Sequence, residues 1–249
     1  MLRAVLTRED VEAYAASLSP HGVEVVAMPV TQQLAEAGDR EMLVRAIETG
    51  PFAAVVVASR YAASCLGVAL RRSASAQLGE IWAVGPVTRE ALEREGLTSH
   101  YPPGVHDGAE LARALITSRE LRGRRVLVPH AEQGRAEPIE LLRAAGADVV
   151  EVVAYRTHAV AADHPSLAAG RELLTGAGAV ICAVFSPSQV AALAAIVGSL
   201  AEVPAQFCAI GETTAAALRA AGVSRIGVAA TPTPDGLATA IRTLLASTP

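Results

Sequence analysis

Apolar runs of three to eight residues recur along the chain, most of them followed by a stretch with helical spacing. The runs at 3–6, 23–30, 53–58, 82–84, 99–101, 125–128, 149–155, 180–185, 207–210 and 226–229 predict strands. The stretches at 10–18, 61–70, 88–95, 109–117 and 138–145, and those opening at Gln189, Thr213 and Thr233, predict helices. Residues 32–50 are polar and helix-prone up to the break at Thr49-Gly50-Pro51. Residues 157–170 lose the pattern and read as a linker into a short helix near 171–175. Strands that alternate with helices in this way predict a parallel α/β fold.

One segment occurs twice. Residues 207–222 read FCAIGETTAAALRAAG and residues 81–96 read IWAVGPVTREALEREG. Gly85 and Thr88 match Gly211 and Thr214, and both segments close on a glycine, Gly96 and Gly222, as helix C-termini favour. Each reads as strand, tight turn and helix start. There the unpartnered N–H groups of the first turn and the helix dipole suit an anion, with the hydroxyls of Thr213 and Thr214 beside them. Two more pairs keep the same order: VVVASRYAA (55–63) with AVFSPSQVA (183–191), and Asp107-Gly108 with Asp235-Gly236. Three matches in one order point to two related halves.

About ten strands could form one sheet, but the repeat favours two doubly wound parallel sheets of five. Residues 53–155 hold five predicted strands, the first βαβ unit two and residues 180–249 three. The second five-stranded domain then needs both ends of the chain. This gives a discontinuous domain, 1–31 plus 158–249, and an inserted one, 32–157. Two crossings side by side would make a hinge and a cleft.

Composition narrows the chemistry. With 51% hydrophobic and 18% charged residues among 249, the chain can bury a sizeable core. No apolar run reaches the ~18 residues of a membrane span, and MLRAVLTRED lacks the apolar core of a signal peptide. The expectation is a cytoplasmic protein with no membrane partner. A net charge of −4 and only 3% aromatic residues speak against a nucleic-acid partner. Cys65, Cys182 and Cys208 sit singly in apolar runs, so no metal site is expected. All 21 basic residues are arginine. Schiff-base chemistry on lysine and the lysine-bearing phosphate loop are therefore excluded.

In doubly wound sheets ligands bind at the carboxyl ends of strands. That rule selects Thr7 and Arg8, Ser59 and Arg60, Gly85 and Thr88, the segment from His130 through Gly134 and Arg135, Ser186 and Ser188, and Gly211, Thr213 and Thr214. Each has an ordinary reading beside the functional one: the threonines and serines as helix caps, the arginines as solvated surface charges.

Taken together, VLTR (5–8), ASR (58–60), FSPS (185–188), GPVTREAL (85–92), VVAYRT (152–157), GETTAAAL (211–218) and PTPDGLATAI (232–241) resemble uroporphyrinogen-III synthases, in order and over nearly the whole chain. Ala58 and Phe185 stand where family members often carry threonine, and the segment after 125–128 reads Pro129-His130-Ala131-Glu132-Gln133-Gly134-Arg135 instead of the family's usual glycine- and arginine-rich run. The resemblance implies two flavodoxin-like domains and a lyase of tetrapyrrole (heme) biosynthesis. Such an enzyme cyclises hydroxymethylbilane to uroporphyrinogen III, with loss of water and inversion of ring D, and uses no cofactor. It also implies that Tyr155 corresponds to the family tyrosine, as hydrogen-bond donor to the leaving oxygen or as a packing residue. Eight substrate carboxylates would fit rims of N–H groups, hydroxyls and arginines. A monomer is expected, since each half has helices for both sheet faces. The alternative is a non-catalytic two-lobed binding or sensor protein for a carboxylated small molecule.

Overall fold

The computed structural model describes residues 2–176 and 178–246. Strands β1 (Leu2–Leu6), β2 (Val23–Ala27), β3 (Thr31–Leu34), β4 (Phe52–Val57), β5 (Leu78–Ala83), β6 (Arg125–Ala131), β7 (Asp148–Ala159), β8 (Val180–Val184), β9 (Ala205–Ala209) and β10 (Ile226–Val228) form two five-stranded sheets. The helices are α1 (Glu12–Leu18), α2 (Ala37–Glu48), α3 (Arg60–Arg72), α4 (Pro86–Arg94), α5 (Gly108–Ser118), α6 (Glu137–Ala144), α7 (Ala168–Thr175), α8 (Pro187–Val197), α9 (Glu212–Ala220) and α10 (Pro234–Ala246).

The first sheet has the order β10-β9-β8-β1-β2 and the second β3-β7-β6-β4-β5. The pairings of β1 with β2 and β8, β8 with β9, β9 with β10, β4 with β5 and β6, and β6 with β7 are all parallel. The period of two along each strand explains why both faces of each sheet carry helices. In β1 and β8, Val5, Val180, Cys182 and Val184 belong to one apolar cluster, and Ala4, Leu6, Ile181 and Ala183 to another. In β4 and β6, Val55, Val57 and Leu127 fall in one cluster, and Ala54, Val56, Val126 and Val128 in the other.

Contacts divide the chain into two units, Met1–Gln32 with His158–Pro249, and Gln33–Thr157. The two passages between them lie within β3 and β7, which are neighbours in the second sheet.

The strand membership differs from the sequence reading in two places. β3 lies in the polar stretch expected to be helical, and its TQQL alternates half-buried and exposed positions at the sheet edge. An edge strand is held by backbone pairing and needs no apolar run. Conversely, 99–101 supplies only an isolated bridge between His100 and Trp82, although Ala83 N–H donates to His100 O and His100 N–H to Ile81 O at 2.8 and 2.7 Å. Pro102 and Pro103 follow at once and lack the N–H that would extend the ladder. β7 also runs on to Ala159, into the stretch read as linker.

Candidate functional site

In the unit formed by Gln33–Thr157, the carboxyl ends of β4, β5, β6 and β7 converge on a cavity of about 330 Å³. Its lining includes Ser59, His106, Asp107, Gly108, His130, Gly134, Arg135 and Tyr155, over an apolar floor that includes Val56, Val128 and Ile139. Gly108 is closely packed: a Cβ on it would stand 3.0 Å from Pro138 Cγ and 3.4 Å from Ala58 Cβ, so these side chains would have to give by a few tenths of an ångström.

Tyr155 reaches this cavity through an irregularity in β7. His130 pairs with Val153 but Ala131 with Tyr155, so Ala154 is an extra residue in the ladder. Such a bulge turns the following side chain onto the other face. Val152, Ala154 and Tyr155 accordingly all pack on the same apolar cluster. The Tyr155 hydroxyl donates to Ser59 Oγ at 3.0 Å, and its ring lies 5.6 Å from that of Tyr61. Burial is the main reason its phenol sits above the ordinary value of 10.0, with the bond to Ser59 pulling the other way. The hydroxyl therefore stays protonated through neutral pH.

Ser59 caps α3, its Oγ accepting from Ala62 N–H at 3.0 Å. With Tyr155 as a second donor, both lone pairs of Oγ are engaged, and the Ser59 proton is what remains to offer a ligand. Arg60 lies over the Tyr61 ring at 4.9 Å and donates to its hydroxyl at 3.0 Å. Arg135 is exposed and only loosely paired, its Nη1 3.9 Å from Asp107 Oδ2. His130 Nδ1 is 2.7 Å from Ala131 O.

The repeated segment has the same geometry in both copies. Gly85 and Gly211 are the N-caps of α4 and α9, with φ 174°, ψ 175° and φ 179°, ψ 174°. This is extended backbone that any residue adopts, and a Cβ at either glycine would meet nothing within 4 Å. Neither helix start has a side-chain cap. The first intrahelical bonds are Arg89 N–H to Gly85 O and Ala215 N–H to Gly211 O. The N–H groups of Val87 and Thr88, and of Glu212, Thr213 and Thr214, precede them and have no intrahelical acceptor. Thr88 and Thr214 are 4% and 3% exposed, while Thr213 is exposed. Two bare, positive helix ends are thereby open to an anion.

In the unit formed by both chain ends, Arg8 follows β1. Its guanidinium lies 4.9 Å from the Tyr14 ring centre and 5.0 Å from that of Phe185, with Nη1 donating to the Tyr14 hydroxyl at 3.1 Å. Among the described residues it makes no ion pair, and the two aromatic faces and the Tyr14 hydroxyl hold it in place. Ser186 caps α8, accepting from Gln189 N–H at 3.3 Å, with its Oγ 2.9 Å from that of exposed Ser188. Thr7 is different. It is fully buried, its Oγ1 lying 2.7 Å from Gln189 Oε1 and 3.1 Å from Ala183 O, while its N–H donates to the same carbonyl. Gln189 Oε1 also accepts from Phe185 N–H at 3.0 Å.

Of the residues selected from sequence, the structure places Ser59, Gly134, Arg135 and Tyr155 around one cavity. Gly85 and Thr88 stand at the next strand end, after the cavity-lining Val84. Sequence reasoning passed over His106, Asp107 and Pro138 as lining residues, and Gln189 as the partner of Thr7. Asp107 did carry a signal, as half of a repeat. It caps α5, accepting from Glu110 N–H at 2.9 Å, whereas Asp235 lies inside α10, whose Gly236 N–H is taken by Thr233 Oγ1 at 3.1 Å.

Among solved structures, uroporphyrinogen-III synthetase from Helicobacter pylori is 17% identical, with 99% of each chain covered and a TM-score of 0.64. A mutant uroporphyrinogen III synthase from the extremely thermophilic bacterium Thermus thermophilus is 20% identical over 100% of both chains, with a TM-score of 0.55. At these identities the likeness establishes the two-sheet α/β fold. A search of the curated proteins found no match. The family model described as uroporphyrinogen-III synthase HemD matches residues 12–239, and with that span the chain belongs to the uroporphyrinogen-III synthase HemD family.

Proposed function

We propose that this protein closes the linear tetrapyrrole hydroxymethylbilane into uroporphyrinogen III, as a cyclising lyase of tetrapyrrole biosynthesis. The duplicated, uncapped helix start carries the reading. Two bare helix ends with buried threonines, together with Arg8, Arg60 and Arg135, suit a substrate with many carboxylates. In this reading Ser59, Arg60, Gly85, Thr88, Gly134 and Arg135 hold carboxylates in one unit, and Arg8, Ser186, Ser188, Gly211, Thr213 and Thr214 in the other. Thr7 holds β1 against β8 and α8, since its hydroxyl is already engaged. The working units are the discontinuous domain 1–31 plus 158–249 and the inserted domain 32–157, which the contact grouping supports.

In this reading substrate binding turns the Tyr155 hydroxyl from Ser59 Oγ, which it meets at 3.0 Å in the free protein, to the oxygen that leaves. As the hydroxyl of the hydroxymethyl group departs from ring A, electron density from the ring A nitrogen forms the exocyclic double bond of an azafulvene, and a proton reaches the leaving oxygen as water forms. The substituted carbon of ring D attacks the azafulvene carbon and gives a spiro intermediate. That intermediate fragments and recloses with ring D turned, and loss of a ring proton restores the pyrrole. The pyrrole nitrogen itself drives the departure, so orientation outweighs acid strength. A raised phenol pKa keeps Tyr155 a donor throughout the neutral range. The protein works as a cytoplasmic monomer without metal or organic cofactor; among the described residues no helix is long and apolar enough to cross a membrane.

The test is the isomer formed. Purified protein given freshly made hydroxymethylbilane should yield the type III isomer. Formation of type I alone, the product of unassisted closure, would reject the proposal and leave a carboxylate-binding role.

A further inference from the structure

A second cavity, of about 400 Å³, opens between α2 and α3 and shares no lining residue with the one described above; its size is within the range of small-molecule pockets. Its walls are Leu43 and Val44 of α2 and Val68 and Ala69 of α3, with Cys65 among them. Their spacing puts 40, 43 and 44 on one face of α2, and 65, 68, 69 and 72 on one face of α3. Val68 remains 37% exposed, an apolar side chain left without cover. Burial raises the Cys65 thiol above its usual value, as a low-dielectric wall would.

The two helices run side by side in the same direction. Both end at the amino edge of the second sheet, where Ala74 N–H, just past α3, donates to Glu48 Oε1 at the end of α2 at 3.1 Å. Arg40 stands in the first turn or so of α2 and Arg72 is the last residue of α3, so the cavity has a guanidinium toward each end. From Cys65 to Arg72 the helix rises about 10 Å. Both arginines are exposed, and neither makes an ion pair among the described residues. The nearby acids are engaged elsewhere: Asp39 accepts from Arg156 Nε and Nη2 at 3.1 Å each, Glu95 pairs with Arg71 at 2.5 Å, and Glu48 receives Ala74 N–H.

We propose that this cavity binds an elongated apolar molecule with a carboxylate at each end, its middle against Leu43, Val44, Val68 and Ala69 and its ends on Arg40 and Arg72. The site is independent of the proposed tetrapyrrole chemistry. Titration calorimetry at low salt, with decanedioate as probe and the full chain as receptor, tests it. One molecule per chain should bind, decanoate about tenfold more weakly, and Arg40→Gln and Arg72→Gln should each weaken decanedioate about tenfold. Val68→Glu, a change at an exposed position that sets a like charge at the mouth, should weaken it as well. Turnover of hydroxymethylbilane by these variants should match that of the parent. The proposal falls if decanedioate gives no saturable heat up to about 1 mM, if decanoate binds equally well, or if binding ignores both arginine changes.

Discussion

Tyr155, Thr7 and the two buried cysteines show how differently single polar residues behave once folded. On the proposed mechanism, Tyr155→Phe removes one hydrogen bond to the departing oxygen but leaves the pyrrole nitrogen's push intact, so turnover should fall about tenfold, roughly 1.4 kcal/mol of barrier. An unchanged rate would take the phenol out of the mechanism. Its raised pKa also sets a sign. Because the folded value exceeds the unfolded one, the associated stability is fully present below pH about 10 and is lost as pH rises through the folded value. Thermal unfolding followed from pH 8 to 11 should therefore show a decline only at the alkaline end, less steep in Tyr155→Phe. For Thr7→Val the expected loss is of stability, about 1–3 kcal/mol, because Gln189 Oε1 loses a buried donor. Denaturant midpoints should drop with KM for hydroxymethylbilane unchanged; a raised KM at unchanged stability would return Thr7 to the binding rim. Burial pushes Cys208 up to about 12 and Cys182 higher still, so neither should react with iodoacetamide at pH 8 until denaturant is added.

At the scale of the element, the instructive parts are the helix starts. Ser59 and Ser186 cap α3 and α8, whereas Gly85 and Gly211 leave α4 and α9 uncapped. A side-chain cap at either glycine would take up the N–H groups that the proposed function assigns to substrate carboxylates. Since both glycines have extended φ and open surroundings, Gly85→Ala and Gly211→Ala should leave the melting temperature nearly unchanged yet lower kcat/KM about tenfold, by crowding the approach to the N–H groups. A large fall in stability with normal kinetics would show instead that these glycines serve the fold. Much of this was legible from the residues: the recurrence of Gly-x-x-Thr after an apolar run gives the helix start and its duplication, whereas the missing side-chain cap appears only in the fold. The bulge at Ala154, which turns Tyr155 to the cavity, was not. Nothing in VVAYRT distinguishes a bulged strand from a regular one, because the extra residue exists only relative to the register of β6.

For the whole molecule, the strand count separated cleanly from strand membership. Five strands per sheet follows from the tally of apolar runs, but the polar β3 takes the place expected for 99–101. An edge strand is chosen by its neighbour, here β7, and its own side chains say little about it. Charge also acts at this scale. A substrate held by arginines and helix dipoles through many carboxylates should bind less well as salt rises, so KM should climb steadily between low and about 0.3 M salt with kcat nearly constant. A flat KM would mean that the charged rims contribute little.

The order of residues alone determined the alternation of strand and helix, the doubling of the chain and the two repeated helix starts, because each of these depends on short-range periodicity and on local backbone chemistry. Folding in three dimensions decided which threonine hydroxyls are spent inside the protein, as in Thr7, which edge strand completes the second sheet, and how Tyr155 comes to face Ser59 across 96 positions of sequence. Those outcomes depend on register and packing between distant segments, and no local pattern encodes them.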